Sequence, residues 1–270
     1  MMVAIRIARS LKKNKQEIAF SGYHGWFDWY LATNLKTKKN LNDHLLPGLD
    51  TIGVDKKLKG SIYPFKYNNS EELEKLVKQN KKIGIIVVES ARYDYPNKKF
   101  VKNINKICKK NKLKLIEDCA HAVGTIYNNK HVGNYGISGS FSFYPTKQIT
   151  TGEGGIVITN NKKIFRNISS LKAFGIDKDI NQRKKQGQYD VKQLGFNYRM
   201  TDFQSCLGLD QLQSYKKSLG KRQKIAKRYY QNFCRSNKIG QLKFSKQNSY
   251  FIYPIFVKKR DKLIKLLNKI

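Results

Sequence analysis

The stretch IGIIVVESARYDYPNKKFVKNINKICKKNKLKLIED, residues 83–118, decides the fold of this chain. It begins with IGIIVV (83–88), an apolar run rich in β-branched residues, and ends with a second apolar run, LKLIED (113–118). Between the two runs, apolar residues recur at helical spacing, namely Phe100, Val101, Ile104, Ile107 and Cys108. Strand, helix and strand in this order predict a parallel sheet covered by helices on both faces. Ligand sites in such sheets lie at the carboxyl ends of the strands, where Asp118 stands.

The flanking sequence continues the alternation. Residues 67–80 begin with capping residues and carry leucines and a valine at helical spacing, which predicts a helix before the first strand. SFSFY (140–144) and GIVITN (155–160) predict two further strands. A capping box at Thr201 and a basic stretch that runs to about Phe233 predict two successive helices. Residues 249–270 predict a final strand and helix, and residues 179–193 a long polar surface loop.

Composition limits the possible classes of protein. The chain has 270 residues, 40% of them hydrophobic, which is enough for one large domain and the start of a second. No apolar run is long enough to cross a bilayer, and the N-terminal residues lack an export signal, so we expect a cytoplasmic protein without a membrane partner. The four cysteines show no C-x-x-C spacing, so we expect neither a disulfide framework nor a metal site.

The net charge of +35 would, by itself, indicate a nucleic-acid partner. However, the lysines lie in twos and threes along the whole chain, with no aromatic-interleaved stripe and no recognition helix. We therefore expect no specific nucleic-acid partner. Binding through bulk charge stays open as an alternative that would be steeply salt-dependent and would not need any particular lysine.

One lysine stands in an unusual position. FSFYPTKQITTGEGG (141–155) places Lys147 shortly after a strand, between Pro145 and a glycine-rich turn. A desolvated lysine is a nucleophilic amine that condenses with an aldehyde. Most lysines lie in water, and a turn lysine is the ordinary interpretation here as well.

Three other polar residues accompany Lys147. Asp118 ends an apolar strand, Ser142 lies inside another, and Asn197 in GFNYRM precedes a helix. Singly, each has a structural interpretation, as a turn or cap residue or as a satisfied core serine. Together with Lys147 they match what pyridoxal phosphate requires: an amine for a Schiff base, a carboxylate for the pyridine nitrogen, and donors for the phosphate.

Three blocks of sequence resemble the DegT/DnrJ/StrS sugar aminotransferases, which use pyridoxal phosphate on the fold-type I scaffold. They are LIEDCAHAVGTIYNNKHVGNYG (115–136), FSFYPTKQITTGEGGIVITNN (141–161) and LGFNYRMTDFQSCLGLDQL (194–212), and the resemblance runs from about residue 111 to the end.

The resemblance implies a role for each site residue. Lys147 would hold the cofactor and shuttle the proton, and Asp118 would pair with the pyridine nitrogen. His121 would contact the cofactor ring or its hydroxyl group. Ser142 would bind the phosphate, and Asn197 would reach the phosphate of the neighbouring subunit in a homodimer.

The first part of the chain, about residues 3–110, resembles a different group, the class III aminotransferases and especially those like glutamate-1-semialdehyde aminomutase. The stretches that show this resemblance are AIRIARSLKKNKQEIAFSGYHGWFDWYLATNL (4–35) and FKYNNSEELEKLV (65–77). In that group the aromatic residue of Y-H-G stacks on the cofactor, which assigns this role to Tyr23. His24 and Glu89 fall at positions near the substrate side.

Both resemblances imply the same α/β fold, a three-layer α/β/α large domain with a mainly parallel sheet. We expect this domain over residues 1–236, without its N-terminal part, and the beginning of a small α+β domain over 237–270. The implied function is a pyridoxal-phosphate-dependent aminotransferase that moves an amino group from a donor such as glutamate to a keto sugar on a nucleotide, through a Schiff base at Lys147. Two alternatives stay open: a class III aminotransferase or aminomutase, and an inactive fragment of such an enzyme.

Overall fold

The computed structural model describes residues 2–10, 14–37, 40–42, 49–90, 96–178 and 183–269. Its helices and strands, in chain order, are α1 (Met2–Ser10), β1 (Glu17–Ser21), α2 (Asp28–Leu31), β2 (Ile62–Pro64), α3 (Ser70–Gln79), β3 (Ile83–Glu89), α4 (Lys98–Lys110), β4 (Lys114–Asp118), β5 (Ile126–Tyr127), β6 (Lys130–His131), β7 (Ser138–Ser142), β8 (Gly155–Ile158), α5 (Lys162–Leu171), α6 (Asp202–Phe233), β9 (Gly240–Gln241), β10 (Ile255–Phe256) and α7 (Arg260–Leu267). Two short 3-10 helices span Ala32–Leu35 and Lys56–Leu58.

Six strands form the central sheet, in the order β2-β1-β3-β4-β7-β8. All neighbours are parallel except β7 and β8, which run antiparallel. The register pairs Glu89 with Asp118 and Asp118 with Ser140, so the carboxyl ends of β3 and β4 meet at one edge. The predicted α/β fold with a mainly parallel sheet is confirmed.

The two faces of the sheet bury different sets of helices because successive strand residues point to opposite sides. On one face, Ile85, Val87 and Ile116 pack with α1 and with Trp29 and Tyr30 of α2. On the other, apolar residues of β3 and β4 pack with α3 and α4: Ile83, Ile86 and Leu115 against Leu73, Val77, Phe100, Ile104, Ile107 and Cys108. This arrangement gives the predicted three layers.

Helix α6 differs from its prediction. The structure has a single helix of 32 residues where the sequence indicated two, and its N-terminus carries the predicted capping box of Thr201 and Gln204. No described helix is both long enough and apolar enough to span a membrane.

The C-terminal strand is also shorter than expected. Of the predicted run 249–257, only Ile255–Phe256 is a strand, paired with β9. Tyr250 has a φ of +49°, which interrupts an extended run. The residues around it turn back to the loops that follow β4 and β7, where Ser249 is fully buried. The boundary between residues 236 and 237 stays a prediction, and the polar loop lies partly outside the described residues.

Candidate active site

The carboxyl edge of the sheet gathers polar side chains from four strands. Ser21 ends β1, Glu89 ends β3, Asp118 ends β4 and Ser142 ends β7. Ser21, Glu89 and Asp118 end strands with buried apolar residues, whereas Ser142 ends a buried strand of mostly small residues. Such an edge is the usual place for a ligand in an open α/β sheet.

Asp118 is buried and paired with His24. The imidazole Nδ1 of His24 lies 2.7 Å from Asp118 Oδ2, and the Ala120 N–H donates to Asp118 Oδ1 over 3.1 Å. Burial alone would raise the pKa of Asp118, but the hydrogen bond and charge of His24 outweigh it and lower the pKa below its ordinary value. Asp118 is therefore an anion held in a dry site.

His24 was assigned to the substrate side by its resemblance, but its ring faces into the protein. Its second nitrogen, Nε2, lies 3.1 Å from the carbonyl oxygen of Ser21. Because both nitrogens face oxygen acceptors, only the doubly protonated ring donates to both. His24 thus lies beside Asp118 as its buried hydrogen-bond partner.

Glu117, next to Asp118, has a different task. Its two carboxylate oxygens accept the backbone N–H groups of Gly133, Tyr135 and Gly136 over 2.6–2.7 Å. Burial raises the pKa of Glu117, and these three hydrogen bonds oppose the rise. Glu117 therefore fixes the loop at 133–136, which leaves Asp118 as the carboxylate at the site.

Lys147 lies on a closed loop after β7. The Phe143 N–H donates to the Gly154 carbonyl and the Thr151 N–H to that of Phe143, each over 3.0 Å. Lys147 is half-buried, and its Nζ lies 2.7 Å from His121 Nε2 and 4.7 Å from the centroid of the Phe251 ring. Lys147 is therefore part of a cluster, not an isolated turn lysine in water.

His121 joins Lys147 to Glu89 and Tyr23. Its ring stacks on that of Phe251, with centroids 4.2 Å apart and planes 8° from parallel. Its Nδ1 lies 3.6 Å from Glu89 Oε1. The other oxygen of Glu89 accepts the Tyr23 N–H over 3.0 Å. These contacts bring together residues that are up to 228 positions apart in the sequence, from Tyr23 to Phe251.

Two predicted phosphate ligands lie apart from this cluster in the described contacts. Ser142 is half-buried, and its Oγ accepts the Tyr144 N–H over 3.3 Å. Asn197 is exposed and forms an isolated β-bridge with Ala173. Neither of these contacts reaches Lys147 or Asp118, so the phosphate roles of Ser142 and Asn197 stay predictions.

Two residues of the cluster were not expected from the sequence. Phe251 was placed in a strand, and Ser249 had no assigned task. Ser249 Oγ accepts from Thr125 Oγ1 and Gln148 Nε2 over 2.9 and 2.8 Å, and it lies 3.3 Å from the His121 carbonyl oxygen. The only local signal was a small polar residue at the start of an aromatic run.

The donor set fits the amine and ring ends of pyridoxal phosphate. Lys147 offers the amine and Asp118 an anionic carboxylate. At this edge the buried hydroxyl oxygens of Ser21 and Ser140 have no hydrogen-bond partner within the described residues. Within the described residues, no cluster of His, Cys, Asp or Glu fits a metal ion.

Known proteins resemble the chain over much of its length. The transaminase of Campylobacter jejuni that acts on UDP-4-amino-4,6-dideoxy-N-acetyl-beta-L-altrosamine is 34% identical over 231 residues, which are 84% of this chain and 57% of that protein. GDP-perosamine synthase of Caulobacter vibrioides is 37% identical over 132 residues, 49% of this chain and 34% of that protein. The chain thus spans about half the length of the curated relatives it matches.

Solved structures agree on the fold. Helicobacter pylori PseC, an aminotransferase of pseudoaminic acid biosynthesis, matches with a TM-score of 0.68 and 24% identity, over 98% of this chain and 66% of that one. A DegT DnrJ EryC1 StrS aminotransferase from Brucella abortus matches with a TM-score of 0.70 and 20% identity, over 99% of this chain and 66% of that one.

The family model for the DegT/DnrJ/EryC1/StrS aminotransferases matches residues 69–270. It reaches back into the segment 3–110 that we compared with class III aminotransferases, and nothing found among known proteins supports that class III resemblance. The Y-H-G sequence that suggested it is explained here by the pairing of His24 with Asp118. The chain belongs to the DegT/DnrJ/EryC1/StrS aminotransferase family.

Proposed function

We propose that the chain is a pyridoxal-phosphate-dependent aminotransferase that moves an amino group from an amino-acid donor such as glutamate to a keto sugar carried on a nucleotide. The observation that carries the proposal is the pair of Lys147 and Asp118. A half-buried amine and a buried anionic carboxylate lie at the same sheet edge. His121, which contacts Lys147, is three positions after Asp118 in the sequence. The nucleotide-sugar names of the relatives support the acceptor class.

Each residue has a defined task in this function. When bound, pyridoxal phosphate supplies an aldehyde and an electron-withdrawing ring. Asp118, kept anionic by His24, would hold the proton of the ring nitrogen. Lys147 would bond the aldehyde and then carry the proton at Nζ between donor or acceptor carbon and cofactor. Ser142 would bind the phosphate. The ring of Tyr23 packs edge-on against Tyr30, with centroids 6.0 Å apart, and its stacking role is not retained because the class III resemblance has no support.

The proposal includes a homodimer with a shared active site. Asn197 is exposed, which suits a residue that reaches a neighbouring subunit. Helix α6 also exposes large apolar side chains: Phe203, Leu207, Leu209 and Leu212. Exposed large apolar side chains, such as the neighbouring pair Phe203 and Leu207, are typical of a protein interface. We place the enzyme in the cytoplasm, with small-molecule donor and acceptor and no specific nucleic-acid or membrane partner.

The test is cofactor attachment at Lys147. Addition of pyridoxal phosphate should produce a visible absorption band, and reduction with borohydride should fix the cofactor on the peptide that contains Lys147. Lys147→Ala should abolish both signals, whereas Lys221→Ala, on the exposed face of α6, should leave them unchanged. The absence of a band at saturating cofactor would exclude the catalytic function.

A further inference from the structure

His121 is held from three directions. Lys147 Nζ lies 2.7 Å from Nε2, the Glu89 carboxylate lies 3.6 Å from Nδ1, and Phe251 covers one face of the ring. The imidazole is 13% exposed and the Glu89 side chain 8% exposed, so water has little access to the pair. The state of the ring is therefore set by protein groups.

Glu89 has little freedom to turn away. Its second oxygen accepts the Tyr23 N–H, and its side chain packs directly against Gly22. A Cβ atom at residue 22 would lie only 2.4 Å from Glu89 Cβ, and Gly22 has a φ of +107°, so glycine is required there. The close approach of this backbone fixes the carboxylate opposite His121.

The carboxylate decides which nitrogen of His121 carries the proton. With the proton on Nδ1, the N–H dipole faces the negative carboxylate, and the Nε2 lone pair accepts a hydrogen bond from the Lys147 ammonium. With the proton on Nε2, a nitrogen lone pair would face Glu89 at 3.6 Å in a poorly solvated site. The form with the proton on Nδ1 is therefore favoured by both neighbours, the Glu89 carboxylate and the Lys147 amine.

We propose that Glu89 is a positioning residue that acts on Lys147 through His121, by holding the proton on Nδ1 and thereby keeping Nε2 as the acceptor for the lysine. Phe251 keeps the ring in the plane that makes both contacts. The inference deepens the proposed function, and rests on it only for the task of Lys147. In that function, the arrangement aims the Lys147 amine before any cofactor arrives.

Nitrogen-15 NMR of the cofactor-free protein tests the proposal directly. The chain has only four histidines, so the His121 signals are assigned with a His121→Gln variant. We expect Nδ1 at the shift of a protonated imidazole nitrogen and Nε2 at that of an unprotonated one, at neutral pH. A wild-type His121 with its proton on Nε2 would overturn the proposal without any variant.

Glu89→Gln should abolish the preference for a single tautomer, so that the two nitrogen shifts move toward each other. Glu153→Gln is the matched control, because it makes the same chemical change on an exposed side chain of the Lys147 loop. Glu89→Asp keeps the charge and should retain part of the preference for the Nδ1–H tautomer. It replaces Glu89→Gln in the experiment if that variant does not fold. An unchanged Nδ1–H tautomer in folded Glu89→Gln would exclude the positioning role.

The two proposals fail separately. If the protein shows the Nδ1–H tautomer but never attaches pyridoxal phosphate at Lys147, the enzymatic function is wrong and the positioning role stands. If the cofactor attaches and the tautomer does not depend on Glu89, the enzymatic function stands and the positioning role of Glu89 is wrong.

Discussion

At the scale of residues, the pair of His24 and Asp118 should carry much of the stability at the sheet edge. His24→Phe keeps an aromatic ring among Phe20, Trp29 and Tyr30 but leaves the Asp118 carboxylate buried without its side-chain partner. Removal of one partner from a buried ion pair costs about 3–5 kcal/mol. We expect a loss of this size in the free energy of unfolding at pH 7, measured with urea.

The pH dependence of that loss has a definite sign. The pKa of Asp118 is lowered below its ordinary value of 3.8, so its pairing stabilises the protein above pH 3.8 and is lost as the pH falls through the lowered pKa. The difference between wild type and His24→Phe should therefore shrink below about pH 3.8. The double variant with Asp118→Asn should recover part of the lost stability at pH 7, because no charge is then left unpaired. Equal stabilities of His24→Phe and wild type would contradict the pairing.

At the scale of elements, the segment 245–251 connects the C-terminal region to the Lys147 loop. Ser249→Ala would remove the buried acceptor of Thr125 Oγ1 and one of the two acceptors of Gln148 Nε2, which also donates to the His121 carbonyl oxygen. Each unsatisfied buried polar group costs about 1–3 kcal/mol. We expect urea unfolding to show a loss in this range, whereas Ser214→Ala on the exposed surface of α6 should change stability by less than about 0.5 kcal/mol. A neutral Ser249→Ala would show that this segment is not anchored at Ser249.

The same segment shows where sequence reasoning ends. Strands β3 and β4 and helix α4 follow from apolar periodicity alone, and the edge positions of Asp118 and Glu89 follow from the parallel sheet. The stack of Phe251 on His121 joins residues 130 positions apart, and no local pattern predicts such a contact. Likewise, the Y-H-G sequence identifies a turn after β1, but only the tertiary structure shows that its histidine faces Asp118.

At the scale of the whole molecule, the exposed apolar residues of α6 predict the assembly. Phe203 is 92% exposed and Leu207, one turn later on the same face, is 47% exposed, although both are large and apolar. If this face of α6 forms the dimer interface, the double variant Phe203→Asp and Leu207→Asp should sediment as a monomer under conditions where wild type is a dimer. Lys221→Asp, a charge change on the same helix, should remain dimeric. A monomeric wild type would contradict the shared active site.

Added salt should strengthen the proposed dimer. This response distinguishes dimerisation from nucleic-acid binding through bulk charge. Two chains of charge +35 repel each other at low ionic strength, and the Debye length falls from about 30 Å at 0.01 M salt to about 10 Å at 0.1 M. Association through the apolar face of α6 should therefore tighten as salt is added, measured by sedimentation across that range. Binding to a nucleic acid through bulk charge weakens over the same range, because fewer counterions are released at higher salt. A dimer that dissociates as salt is added would show that charge pairing, and not the apolar face, holds the two subunits together.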